Sequence, residues 1–166
     1  MENSSRIVAI FICPGSGELM QPFETAMAIA GAGLDGDRYA VGTGKYSGRE
    51  NRGKPGQCVR DVTFISAYLI QRANVKLVEM GLEPFGWRET RRNIVVGGGI
   101  DLLSLIGKKF SSGEVVFEGF EDCTPCVTPN ELAKKEKFEV AFKTCGGLRA
   151  RILQGGELRA GGTLWF

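Results

Sequence analysis

Glycine is the residue that most constrains how this chain folds. It occupies 24 of the 166 positions, about twice the share of roughly 7% that is usual in proteins. Short runs rich in Val, Ile and Phe lie between the glycine clusters, and such runs suit β-strands. Short strands separated by glycine-rich turns predict a mainly β structure with a few helices, either a barrel or a sandwich. The clusters are GAGLDGD, VGTGKYSG, VVGGGI, KTCGGL and QGGELRAGG.

The overall composition is that of an ordinary folded protein, and its charge points to no particular partner. Hydrophobic residues make up 43% and charged residues 24% of the chain, and the formal net charge is +2. A balance this close to neutrality gives no reason to expect binding to nucleic acid or to a membrane. The length fits one domain over residues 1–166.

The first residues do not resemble a targeting segment. The start, MENSSRIVAIFICPGSG, has one basic residue, and its apolar part is only IVAIFIC. A membrane span needs roughly 18–20 apolar residues, so this run is better interpreted as a first strand than as a signal peptide. We therefore expect a cytoplasmic protein.

Residue periodicity predicts the helices and strands. Apolar residues recur with helical spacing over 67–81, and Gly81 suits the C-terminal cap of that helix. A second helix is predicted over 130–143 with Asn130 as its N-cap. Residues 20–30 suit either a strand or a short helix. Strands are predicted for RIVAIFIC at 6–13, VRDVTFIS at 59–66, RRNIVVGG at 91–98 and GEVVFEGF at 113–120.

The remaining segments predict the connections. GLDGDRYAV contains turn residues followed by what looks like the start of an apolar strand, and IDLLSLIGK suits a short hydrophobic turn element. Residues 43–58 are polar, glycine-rich and cationic, which predicts a long surface loop. Near the C-terminus, QGGE lies between two apolar runs and predicts a β-hairpin.

A CxxC pair is the most distinctive chemical feature. Residues 121–129 read EDCTPCVTP, which places Cys123 and Cys126 three positions apart in a chain with five cysteines and no histidine. An odd number of dispersed cysteines does not indicate a disulfide framework. Zinc would need four ligands, and the remaining cysteines form no second pair. A thioredoxin-like motif would need a helix directly after the pair inside a βαβ unit, and the mainly β pattern around the pair does not fit this requirement.

A third interpretation is that one cysteine of the pair acts as a thiolate and the other takes no part in the chemistry. A thiolate is a soft ligand for a transition metal and also a nucleophile. Without histidine, no imidazolium can activate it, so activation must come from arginine charge, backbone N–H groups or a metal. For Cys13, inside an apolar strand, burial as a small apolar side chain is the better interpretation.

Several segments in the same order resemble the MOSC domain. This domain occurs at the C-terminus of molybdenum cofactor sulfurases, in the mitochondrial amidoxime-reducing component and in small stand-alone bacterial proteins. The resemblance covers roughly residues 7–166, and GLDGDRYA resembles the family's GDRH turn, with Tyr39 where histidine is frequent. The other matching segments are RRNIVVGGGIDLLSLIGKKFSSGEVVFEGFEDCTPC and GGLRARILQGGELRAGGTL.

The resemblance implies a β-barrel-like fold and a pocket for molybdenum cofactor, a phosphate-bearing pyranopterin dithiolene. Carried over by position, Cys126 is implied as the catalytic thiolate and metal ligand. Pro125 stands where the amidoxime-reducing relatives carry an arginine, so one cation is missing from their pattern. The residues implied or expected to bind the cofactor are Arg38, Ser66, Arg91, Asn93 and Thr124.

Charged residues near the glycine-rich turns suit an anionic cofactor. A phosphate calls for arginine, lysine and backbone N–H groups. Because Arg91 and Asn93 alternate in a predicted strand, we expect both side chains on one face, in one pocket with Cys126, and Arg92 on the other face. Further candidate cations are Lys45 and Arg49.

These features leave three functions open. The first is a molybdenum-dependent reductase of N-hydroxylated compounds that takes electrons from a separate redox protein. The second is a sulfur carrier, in which Cys126 bears a persulfide for delivery to a metal centre. The third is a cofactor-binding module without turnover.

Overall fold

The computed structural model describes residues 3–43 and 60–166. The predicted surface loop at 43–58 therefore lies outside the described residues apart from Thr43. The candidate cations Lys45 and Arg49 lie in the same undescribed segment, as does Cys58.

The described chain is built mainly from β-strands. Eight of them form one sheet in the order β11-β7-β8-β9-β5-β6-β1-β2, and β11 also pairs with β1. This second pairing closes the sheet into a barrel with β2 on its outside, which confirms the predicted barrel-like, mainly β fold. The strands are β1 (Ser4–Ile12), β2 (Gln21–Phe23), β3 (Thr25–Ile29), β4 (Gly33–Leu34), β5 (Val62–Ser66), β6 (Ile94–Val96), β7 (Lys109–Ser112), β8 (Val115–Asp122), β9 (Leu148–Gln154), β10 (Gly156–Arg159) and β11 (Thr163–Trp165).

Short helices connect the strands. Helix α1 (Ala67–Glu79) joins β5 to β6, which run parallel and therefore need a crossover. Gly81 follows its C-cap with a φ of +74°, as the sequence predicts. None of the helices in the described chain is long and apolar enough to cross a membrane. The other helices are α2 (Thr128–Ala133), α3 (Phe138–Ala141) and 3-10 helices at Trp87–Thr90 and Leu102–Leu105.

The predicted helix over 130–143 is wrong in its extent. The chain forms two short helices there, and Asn130 lies inside α2. Its amide oxygen accepts a hydrogen bond from the backbone N–H of Phe138, and its amide nitrogen donates to Glu139. Asn130 therefore helps to cap α3, the second of the two helices, instead of the first.

The predicted C-terminal hairpin is also wrong. Strand β9 pairs with β8 and β5, whereas β10 pairs with β3 in a separate three-stranded sheet. Gly156, the first residue of β10, has a φ of +154°, which lets the chain turn out of the barrel directly after β9. Residues 20–30, which the sequence left open, form the strands β2 and β3. In GLDGDRYAV only Gly33–Leu34 is a strand, so no apolar strand begins at Tyr39.

Two hydrophobic clusters hold these elements together. Inside the barrel, Phe64, Phe110 and Phe117 meet with ring centroids 5.2–5.3 Å apart. Outside it, α1 and α3 pack on the sheet around Phe85 and Phe138. Aromatic pairs of this geometry add stability beyond the area that they bury. The barrel wall is thus covered on one side and gives the surrounding loops a rigid support.

A buried carboxylate connects the segments that later form the pocket. Asp37 is fully buried, and its Oδ1 accepts hydrogen bonds from the backbone N–H of Cys13 at 2.9 Å and from Asn93 Nδ2 at 3.1 Å. It also pairs with Arg38 Nη1 at 3.3 Å, and its Oδ2 accepts from the backbone N–H of Tyr39. One side chain therefore ties the end of β1, the entry to β6 and the turn after β4 together.

We predict that Asp37→Asn, which keeps the shape but removes the charge, lowers the free energy of unfolding by roughly 3–5 kcal/mol. The reason is that the buried Arg38 then loses its ion pair with Asp37. Urea denaturation measures the change. The matched control is Glu157→Gln, which removes an exposed ion pair with Arg159 and should cost less than about 1 kcal/mol. Equal effects in the two variants would contradict the role given to Asp37.

Candidate functional site

A cationic pocket lies where the loop after β8, the turn after β4 and the entry to β6 meet. Tyr39, Cys123, Thr124 and Cys126 line it together with a group of arginines. No aspartate or glutamate is among the described residues that line it. The pocket therefore presents guanidinium groups and thiols to a ligand. The lining arginines are Arg38, Arg60, Arg91, Arg92 and Arg149.

Four of the predicted site residues meet in this pocket. Arg38, Arg91, Thr124 and Cys126 all contribute to its wall. Arg38 is only 5% exposed, whereas Thr124 and Cys126 are exposed. Their proximity is a finding, while the roles assigned to them remain predictions.

Ser66 and Asn93 lie elsewhere, so their placement at the pocket wall is corrected. Ser66 is fully buried and caps α1, accepting from the backbone N–H of Leu69 and donating to the Gly98 carbonyl. Asn93 is also fully buried, and its amide bonds the Thr63 hydroxyl, the Phe11 carbonyl and Asp37. Both side chains support the fold around the pocket and do not face it.

The predicted alternation of residues 91–93 is wrong for a conformational reason. Strand β6 begins only at Ile94. Arg91 ends the preceding 3-10 helix with a φ of +62°, in the left-handed region. The period of two that holds in a strand does not apply there. Arg91 and Arg92 consequently both reach the pocket.

The two cysteines of the CxxC segment differ in their surroundings: the first is buried and its backbone is hydrogen-bonded, whereas the second is exposed. Cys123 is 4% exposed, and its backbone N–H donates to the Gly147 carbonyl at 2.9 Å. Gly146 packs so closely on the Cys123 carbonyl and the Pro125 ring that no Cβ would fit there. Cys126, by contrast, is exposed. Of the two thiols, that of Cys126 is therefore the more accessible to a ligand.

Arg92 fixes the start of the CxxC segment through hydrogen bonds from all three nitrogens of its guanidinium group. Its Nε, Nη1 and Nη2 donate to the carbonyls of Gly146 at 2.7 Å, Thr90 at 2.9 Å and Cys123 at 3.0 Å. Buried polar groups are stable only when they are hydrogen-bonded in this way. Arg92 thus positions the cysteine segment and adds positive charge to the pocket.

Arg91 reaches across the pocket to the loop after β1. Its Nη1 donates to the Glu18 carbonyl at 2.6 Å, and its Nη2 lies 3.8 Å from the Cys13 sulfur. Burial lowers the pKa of Arg91, and the neighbouring positive charge of Arg38 lowers it further. Cys13 is buried, as the sequence predicts, but its thiol also donates to the carbonyls of Gly15 and Glu18. Arg91 and Cys13 together hold this loop at the pocket wall.

Tyr39 links two further arginines. Its ring lies under the Arg38 guanidinium, 4.5 Å from ring centroid to Cζ, and its hydroxyl accepts from Arg60 Nη1 at 3.3 Å. Such cation–π contacts order an arginine without neutralising it. Burial is the largest influence and lowers the pKa of Arg60. Attraction to the Tyr39 oxygen, the hydrogen bond to it and attraction to the Cys123 sulfur together outweigh burial and raise the pKa of Arg60. The Arg60 guanidinium therefore stays charged.

Two arginines of the pocket, Arg60 and Arg149, are not among the site residues predicted from the sequence. Arg149 lies in the segment GGLRARILQGG, so its motif was visible, and it pairs with Glu121 at 2.6 Å. Arg60 belongs to no motif and reaches the pocket only because β5 begins nearby. Neither could be assigned without knowing which strands are neighbours.

The described residues do not form a protein-only metal site. They contain no cluster of three or more histidine, cysteine, aspartate or glutamate side chains that could hold a metal ion. Cys13, Cys123, Cys126 and Cys145 are free thiols.

The fold is shared with solved structures of small bacterial proteins. The YuaD protein from Bacillus subtilis aligns over 99% of this chain and 96% of its own, with 19% identity and a TM-score of 0.76. YiiM from Geobacillus stearothermophilus covers 98% and 75% with 13% identity and a TM-score of 0.65. YiiM from Escherichia coli covers 96% and 68% with 15% identity and a TM-score of 0.63. At these identities the likeness establishes the fold alone.

The sequence itself matches one family model. No curated protein sequence matches the chain. The model of the MOSC domain, however, matches residues 64–165, which include Arg91, Arg92 and both cysteines of the pair. On this match the chain belongs to the MOSC domain family.

Proposed function

We propose that this MOSC protein binds molybdenum cofactor in the arginine-lined pocket, with the Cys126 thiolate as the protein ligand to the metal. The observation that carries the proposal is one pocket that combines five arginines, an exposed thiol and no carboxylate among the described lining residues. The proposal takes residues 1–166 as one domain.

The donor set of the pocket suits this group. Molybdenum cofactor carries phosphate, and guanidinium groups bind phosphate through charge-assisted and often bidentate hydrogen bonds. Its metal is held by soft sulfur donors, which a protein thiolate can complete. A single exposed thiol is insufficient for a metal alone, but it is sufficient when the cofactor supplies further sulfur. The residues present therefore fit the cofactor.

Each pocket residue then has a definite task. Arg38 and Arg91 would bind the anionic part, and the Thr124 hydroxyl would add a hydrogen bond near the cysteine segment. Arg92 and Gly146 would hold that segment so that Cys126 faces the pocket. When bound, the cofactor would supply a metal centre that exchanges electrons and oxygen with a substrate.

The reaction that we propose is reduction of N-hydroxylated compounds, with electrons from a separate redox protein. Pro125 stands where the amidoxime-reducing relatives carry an arginine, so one cation of their pattern is missing from this chain. Arg60 and Arg149 line the same pocket. We propose that they supply part of the positive charge that the missing arginine provides in those relatives.

A second candidate is favoured by the exposure of Cys126. A sulfur carrier needs a cysteine that a donor and an acceptor can both reach, and Cys126 meets this requirement while Cys123 is 4% exposed. The surrounding arginines would stabilise a persulfide anion on Cys126. Molybdenum with pterin in the purified protein supports cofactor binding, whereas cyanide-labile sulfur without metal supports the carrier.

We predict that Cys126→Ser abolishes retention of molybdenum or persulfide sulfur, while Cys123→Ser keeps most of it. The reason is that Cys126 is exposed at the pocket and Cys123 is buried with its backbone fixed. Metal analysis, pterin fluorescence and cyanide-labile sulfur of protein made in a cofactor-competent host measure the effect.

Equal loss in both single variants would indicate a shared dithiol site and would contradict this assignment. Thermal unfolding of each variant serves as the control, because a general loss of fold would affect both thiols alike. Bound cofactor without reduction of any N-hydroxylated compound, even with an artificial electron donor, would leave only the module without turnover.

We also predict that Arg91→Ala weakens cofactor binding by roughly 1.5–3 kcal/mol, the value of a hydrogen bond to a charged group. This corresponds to about a tenfold to hundredfold loss of affinity. Molybdenum content after dialysis at rising salt concentration measures it. Arg159→Ala is the control, because Arg159 lies exposed on β10. Equal retention in the two variants would exclude Arg91 from the binding site.

A further inference from the structure

We propose that Cys126 takes up sulfur directly from a small dianionic sulfane-sulfur compound of the thiosulfate class. This inference deepens the sulfur-carrier function proposed above and rests on it. It names the donor by its chemistry, a terminal divalent sulfur attached to an anionic sulfonate-like group.

The first support is the match between nucleophile and charge. Cys126 is exposed on a pocket wall that five arginines share and that has no carboxylate among its described lining residues. Arg91 contacts the Glu18 carbonyl and the Cys13 thiol, and Arg92 contacts three carbonyls, so neutral groups hold both cations. Their positive charge is therefore available to an anion that enters the pocket.

The second support is the crowding of like charges. Arg38 and Arg91 lie close enough for the charge of one to lower the pKa of the other, after burial has already lowered it. Asp37 already pairs with Arg38, and a dianion in the pocket beside Arg91 would relieve the remaining repulsion. A neutral sulfur donor would gain nothing from these groups, so the pocket favours a doubly charged donor over an uncharged one.

The transfer step balances without a further reactant. The Cys126 thiolate attacks the terminal sulfur of thiosulfate and forms a sulfur–sulfur bond. The original sulfur–sulfur bond of thiosulfate breaks, and its electron pair leaves with sulfite. The products are a Cys126 persulfide anion and sulfite, so total charge and electrons are conserved. Arginine stabilises the charge that develops on the leaving sulfite.

The test uses the metal-free full chain and thiosulfate itself. After incubation, intact mass should rise by one sulfur atom, peptide mapping should place the sulfur on Cys126, and sulfite should appear in equal amount. Cyanide should remove the sulfur as thiocyanate and restore the thiol. Cys126→Ser should show none of these changes. Cys145→Ser, which alters a thiol outside the pocket lining, should behave like the wild type.

The neutral reagent methyl methanethiosulfonate separates anion recognition from thiol reactivity. We expect Arg91→Ala to slow the reaction with thiosulfate by about tenfold to hundredfold, as the loss of a hydrogen bond to a charged group implies. Its reaction with the neutral reagent should slow much less, since only the activation of the thiolate by Arg91 is then lost and no ionic contact with the reagent. Arg159→Ala should leave both rates unchanged.

Salt provides a second measurement that needs no variant. Rising ionic strength should slow the thiosulfate reaction of the wild type and leave the neutral reaction unchanged. Equal sensitivity of both reactions, to salt or to Arg91→Ala, would overturn the proposal. Sulfur on another cysteine, or no uptake, would overturn it as well. If the protein takes up no sulfur from thiosulfate but retains molybdenum when made in a cofactor-competent host, only this donor is refuted. If it does neither, the proposed function is refuted as well.

Discussion

The hydrogen bonds and ion pair of Asp37 are the interaction on which the rest of the pocket depends. Its buried carboxylate accepts from the end of β1 through Cys13, from Asn93 at the entry to β6, and from the turn that carries Arg38. These segments are far apart in sequence, and each contributes a wall of the pocket. Because a carboxylate this deeply buried must be fully bonded, its geometry fixes where those walls stand.

The rest of the site is held together largely by hydrogen bonds from arginine side chains to backbone carbonyls. Arg92 spans three of them, and Arg91 joins the loop after β1 to the entry to β6. Arginine does not lose its proton at working pH, so these side chains supply fixed charge and geometry but no proton transfer. In a chain without histidine, the chemistry that we propose for the pocket therefore rests on sulfur, at Cys126 or on a bound group.

The sequence predicted those features that depend on local pattern. Alternating and helical spacing identified most strands and α1, and short motifs pointed to Arg38, Arg91 and Cys126, which meet in one pocket. The failures have a common cause. The side of Arg91 was inferred from a strand that begins only at Ile94, and its left-handed backbone removes the alternation. Ser66 and Asn93 carry polar side chains that satisfy buried backbone groups, which sequence alone does not distinguish from ligand contacts.

Pairing between distant strands explains the other differences. QGGE has hairpin chemistry, but β10 finds its partner in β3, more than a hundred residues earlier in the chain. Arg60 and Arg149 come to line the same pocket as Cys126 only because β9 pairs between β5 and β8 in the sheet. No local signal encodes such neighbours, since they follow from the register and order of the whole sheet.

X-ray absorption at the molybdenum edge tests the central claim most directly, because it counts the sulfur atoms bound to the metal. The account predicts a difference between the two proteins: molybdenum in the wild type has one sulfur neighbour beyond those of the dithiolene, whereas Cys126→Ser retains no metal. It predicts no such difference for Cys123→Ser. An identical sulfur count in wild type and Cys126→Ser, with both proteins folded and loaded, would contradict the assignment of Cys126 as the metal ligand.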